Sequence, residues 1–136
     1  MTDYFGLRIP FLEHIGLIPV SLGGGKAAAR LPMRKELQNS RGEFQGGSIM
    51  TALDYTLSAA VRSSTEGAIG AATIDMTTSF LAPALTDLAF EARVIKAGQS
   101  IVFGEAEARD ASGELVARAT GTFKVFRSTR GAGSTQ

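Results

Sequence analysis

Between Gly46 and Val61 the apolar residues Ile49, Leu53, Leu57, Ala60 and Val61 recur three or four apart, a spacing that predicts an α-helix. Met50 widens that stripe, and Ala, Leu and Met are good helix formers. Tyr55 aside, nearly every position is apolar or small, so the helix is expected to be surrounded by protein. After Ser63-Ser-Thr-Glu-Gly67 the period changes to two. Strands are predicted over Ala68–Leu81, Leu88–Lys96, Ile101–Arg109 and Leu115–Phe126, with a turn at Asp110-Ala-Ser-Gly113. Gly25–Leu31 is a weaker fifth strand because of its three alanines. One long apolar helix followed by serial strands with short connections implies an α+β fold, an antiparallel β-sheet wrapped around one central helix. Such a sheet has open edges, and pairing with a second copy is the usual way to cover them.

The chain has 136 residues, 44% of them hydrophobic and 20% charged, which suits one domain over residues 1–126. Within it, residues 1–22 are expected to form an N-terminal helix or lid segment, with His14 beside Phe11, Leu12 and Ile15. Residues 127–136, RSTRGAGSTQ, are expected to be a disordered polar tail. With no cysteine there is no thiol nucleophile, disulfide or cysteine-held metal. A single histidine, His14, leaves no multi-histidine metal site and no obvious Ser–His–Asp triad. Fourteen basic against 13 acidic residues give a net charge of +1, which argues against nucleic acid as a partner. Asp3, Arg8 and Glu13 interrupt the N-terminal apolar run, so neither a signal peptide nor a membrane span is expected, and the cytoplasm is the expected compartment.

Asp54 is the only charged residue between Gln45 and Val61. A carboxylate in an apolar setting costs several kcal/mol unless it is paired or hydrogen-bonded. Asp54 is therefore either a satisfied polar residue facing a neighbouring subunit or water, or a general base or nucleophile on a rigid element. The Gly46-Gly47 pair at the start of the same helix is either a plain entry turn or a place where free amides, with roughly half a positive charge, hold a developing oxyanion. Eight residues of helix separate Gly46 from Asp54 by about 12 Å along the axis. They cannot act on one carbon within one chain. If both are catalytic, the Gly46 of one subunit meets the Asp54 of another, and each dimer holds two shared sites.

Several runs in order carry a resemblance: Asn39-Ser-Arg-Gly-Glu-Phe-Gln45-Gly46-Gly47, Leu53-Asp54, Ala72-Thr73-Ile-Asp-Met76, Phe80-Leu-Ala-Pro-Ala84, Lys96-Ala-Gly-Gln99-Ser100 and Gly113-Glu-Leu-Val-Ala117. Over about residues 36 to 126 the sequence resembles the hotdog-fold acyl-CoA thioesterases of the phenylacetate-degradation, PaaI-like type. The resemblance implies five or six antiparallel strands around the helix, dimers that often pair into tetramers, and active sites at the dimer interface without metal or cofactor. It implies that Asp54 activates water or attacks the thioester and that the Gly46 amide polarises the carbonyl. Asn39 would orient the water or the target. Thr73, matching a position from the partner subunit, would hold the attacking water, although it is equally an ordinary strand threonine. Gly47, Lys96, Gln99, Ser100 and Lys124 would contact the CoA moiety, although Lys96 and Lys124 are equally ordinary strand charges.

One position departs from the family. Gln45 stands where a histidine usually precedes the paired glycines, and its amide donates a hydrogen bond but does not titrate near neutrality. Two functions follow: an acyl-CoA thioesterase releasing free acid and CoA, and a noncatalytic hotdog module binding CoA esters or a partner protein. A hotdog dehydratase is disfavoured, since no histidine lies near Asp54 in the sequence.

Overall fold

A computed structural model describes residues 1–128. The predicted helix is α2 (Gly46–Ser63), two residues longer than its apolar period, because Ser63 and Ser64 turn their hydroxyls back to the carbonyls of Ala60 and Val61 at 2.9 and 2.7 Å. The predicted strands are β2 (Lys26–Leu31), β3 (Ala68–Phe80), β4 (Leu88–Ala97), β5 (Ile101–Arg109) and β6 (Leu115–Arg127). Arg127, expected to open the tail, pairs instead with Ala68 as the last residue of β6. Residues 129–136, the rest of that tail, lie outside the described part of the chain.

The sixth strand, β1 (Ile18–Gly23), falls within the five or six that the resemblance implies, but the hydrophobic pattern did not locate it. It gives no clean alternation, since Ile18, Val20 and Leu22 are all exposed, and Pro19 is tolerated because β1 is an edge strand. Its loop to β2 explains the glycine run. Gly24 and Gly25 have φ of 61° and 80°, left-handed at both central positions of a two-residue hairpin turn. The rest of the N-terminal segment includes the short helix α1 (Pro10–Ile15), opened by its proline and seated on buried Leu12 and Ile15.

The six strands run antiparallel in the order β1-β2-β4-β5-β6-β3 and curve around α2. Leu53, Leu57 and Val61 of the helix are fully enclosed, as are Phe90, Val102 and Phe123 of the sheet. Gly104 and Gly121, cross-strand neighbours on β5 and β6, let the helix come close: a Cβ on Gly104 would stand 2.7 Å from Leu57 Cδ1, and one on Gly121 3.4 Å from its Cδ2.

The helix is not surrounded on every side within one chain, contrary to the expectation from its composition. Met50 is 39% exposed, and Thr51, Asp54 and Ser58 are half-buried along one face. The physical reason is that the sheet ends at β3, an edge strand of 13 residues on which no residue is fully buried. Among the described residues no helix is long and apolar enough to cross a membrane.

Candidate active site

Asp54 sits at mid-helix on the open face of α2, and its neighbour across the groove is Thr73 of β3. The Thr73 hydroxyl donates to Asp54 Oδ1 at 2.5 Å, a charge-assisted bond that fixes the carboxylate. Thr73 can reach it because it pairs with buried Phe123 on the helix side of the sheet, and the register shift that follows at Ile74 breaks the alternation beyond it. This contact lies within one chain, whereas the resemblance assigned that hydroxyl to the partner subunit. The crossing of α2 over the β3 edge supplies it locally. Asp54 Oδ2 has no partner among the described residues.

The head of α2 is equally open. Gln45 is the N-cap and makes no side-chain capping bond, and the first turn carries no acidic residue. Among the described residues the Gly46 and Gly47 amides have no hydrogen-bond acceptor, so two donors and the positive end of the helix dipole face outward. Backbone bonds fix this entry: Gln45 N–H donates to Leu37 O and Phe44 N–H to Ala84 O, both at 2.8 Å. The Phe80 ring rests against Gly46, its nearest carbon 3.3 Å from where a Cβ would stand. Sequence reasoning did not find this contact, because the two residues are 34 positions apart and only the crossing of helix and strand brings them together.

Asn39 is half-buried in the loop before the helix, and its Oδ1 accepts from the amides of Arg41 and Glu43 at 2.8 and 3.1 Å. That bonding shapes the Asn39–Glu43 turn, which explains the residue type locally. Its side-chain nitrogen remains available as a donor. Gln45 and Gly47 are exposed.

Lys96, Gln99, Ser100 and Lys124 gather at the turn between β4 and β5. Gly98 N–H closes that turn on Ile101 O at 2.8 Å, Val125 N–H donates to Ser100 O at 2.9 Å, and Lys124 pairs opposite Ile101. The two lysines and Gln99 are exposed and form no ion pair or side-chain hydrogen bond among the described residues. They form a polar, cationic corner beside β6, away from the apolar head of α2. Among the described residues no group of three His, Cys, Asp or Glu side chains converges to hold a metal ion.

A helix clasped by six antiparallel strands, with a fixed carboxylate at its middle and free amides at its head, defines a hotdog-fold protein of the α+β class. The chain belongs to the thioesterase superfamily, whose family model matches residues 44–117, and is in that general sense a thioester hydrolase. It is 32% identical over 127 residues to a Halobacterium salinarum protein named provisionally as an esterase, a match covering 85% of this chain and 84% of that one. The solved structure of a conserved protein from Pseudomonas aeruginosa shares 33% identity and a TM-score of 0.80, covering 88% of this chain and 95% of the other. The PaaI protein of the phenylacetic acid degradation operon of E. coli superimposes with a TM-score of 0.81 at 19% identity, covering 88% and 86% of the two chains, which shows the shared fold.

Proposed function

We propose that the protein hydrolyses an acyl- or aryl-CoA thioester at sites shared between two copies of the chain. Water adds to the thioester carbon, the C–S bond breaks, and free acid and CoA thiol leave. Asp54 supplies the lone pair, either by taking the proton from water or by attacking the carbonyl first. The observation that carries this reading is the Thr73–Asp54 bond: it occupies one carboxylate oxygen and leaves the other free and oriented. The Gly46 amide receives the oxyanion, a donor typically worth about 3 kcal/mol of barrier. About 12 Å of helix between the two groups supports a site in which they come from opposite subunits. The Asn39 amide nitrogen and the Gln45 side chain are available to orient water and carbonyl. Gly47, Lys96, Gln99, Ser100 and Lys124 offer donors and positive charge to the pantetheine and phosphates.

The test is release of CoA thiol from a panel of alkyl- and aryl-CoA esters by the wild type and Asp54→Asn at matched oligomeric state. Turnover should fall at least about a thousandfold in the variant while ester binding persists. A wild type that binds CoA esters without turnover would overturn the reading in favour of a noncatalytic CoA-ester module.

A further inference from the structure

We propose that the Phe80 ring is the wall that selects acyl groups by their bulk next to the thioester carbonyl, an inference that rests on the thioester-hydrolase reading of this site. Phe80 ends β3 on the helix-facing side of the sheet, opposite buried Ala117, yet it is 51% exposed. Three of its ring carbons lie 3.3, 3.6 and 3.9 Å from where a Cβ on Gly46 would stand. Gly46 does not have a left-handed φ, so its backbone conformation does not demand glycine, and a Cβ there would have to push the ring back by a few tenths of an ångström.

The backbone that carries the ring is held in place. Leu81 and Ala82 both donate backbone N–H to Val116 O, at 2.8 and 3.3 Å, and Ala84 O accepts from Phe44 N–H in the segment that enters α2. The free amides and the backbone of Phe80 therefore share one hydrogen-bonded frame. Leu81, 53% exposed, follows Phe80, and Met50, 39% exposed, lies one turn beyond Gly46 on the same helix face. This apolar end suits the acyl group, and the Lys96–Lys124 corner suits the charged thiol portion. A carbonyl oxygen seated on the Gly46 amide places the adjacent acyl carbon within van der Waals reach of the ring. A hydrogen fits there, and an added methyl branch meets the ring.

The experiment compares kcat/KM for butyryl-CoA and isobutyryl-CoA in the wild type, Phe80→Ala and Phe80→Leu, with the folded state of each checked by thermal melting. The wild type should prefer the unbranched ester. Phe80→Ala should shift the ratio toward the branched one by at least about tenfold, and Phe80→Leu by an intermediate amount. The same ratio is read as Kd with the non-hydrolysable thioether analogues of the two esters, so a wild type that binds without turnover fails the hydrolase reading while the role of Phe80 is still decided. A ratio that stays within twofold in Phe80→Leu and Phe80→Ala by both readouts overturns the inference. A wild type that neither binds nor turns over either ester overturns the inference, and the panel of alkyl- and aryl-CoA esters decides the hydrolase reading separately.

Discussion

Tyr55 follows Asp54 on α2 but faces away from the groove, and its hydroxyl is enclosed without a hydrogen-bond partner among the described residues. Its ring is held by Phe5, stacked with centroids 6.4 Å apart, and by Tyr4, edge-on at 5.6 Å. Burial pushes its pKa from 10.0 up to about 12, and the positive charge of Arg62 opposes this only in part. The fold thus favours the neutral phenol, whereas the unfolded chain ionises it near 10. The stability it contributes is fully present below pH 10 and is lost as the pH rises through 12. Tyr55→Phe keeps the ring contacts and removes the unsatisfied hydroxyl, so it should raise stability by about 1 kcal/mol at pH 7 and flatten the alkaline decline. Urea unfolding at pH 7 and pH 11 checks both, and an unchanged slope between them would contradict the assignment. Residues of this kind divide by what makes them visible in sequence. Asp54 stood out as a lone charge in an apolar helix, and Gly46 as a glycine at a helix start. The Tyr55 hydroxyl and the Phe80–Gly46 contact depend on neighbours far away in the chain and left no local mark.

Elements were legible wherever one face is buried and the other wet. β5 matched its expected bounds because Val102, Ala106 and Ala108 point inward against Glu105 and Glu107. β1 failed for the same physical reason: an edge strand lying over little core has no buried face to impose a period, so most of it fell inside the helix or lid segment expected over residues 1–22. Glycines inside strands carry a second kind of information. Gly104 lies in a strand where glycine is unfavourable, and the structure shows that a Cβ there would stand 2.7 Å from Leu57 Cδ1 and 2.8 Å from Arg93 O. One of these is backbone and cannot swing aside. Gly104→Ala should therefore destabilise the protein by about 1–3 kcal/mol by lifting α2 from the sheet. Chemical denaturation measures this, and a loss below about 0.5 kcal/mol would mean that the helix has room to spare.

At the scale of the whole molecule, the proposed function makes one chain the bearer of two half-sites: the Asp54 carboxylate held by Thr73 and the open Gly46 amide beside Phe80. The face of α2 and the long β3 edge are uncovered, with Ile69 60% and Ile74 54% exposed, and in the proposed shared site a second copy covers them. Shared sites make a quantitative demand that sites within one subunit do not. Asp54→Asn removes the base, and Gly46→Pro removes the amide donor at the first helical position, where the backbone tolerates proline and the added ring displaces Phe80 only in the half-site already disabled. Each variant alone has no complete site. When the two are unfolded together, refolded at equal amounts and allowed to pair at random, half of the dimers are mixed. Each mixed dimer brings one intact Asp54 against one intact Gly46, so activity should return to about a quarter of the wild-type level. Thiol release from the mixture, set beside the separately refolded variants, decides it. If each chain held its own complete site, every mixed dimer would still be broken in both halves, and mixing would restore nothing.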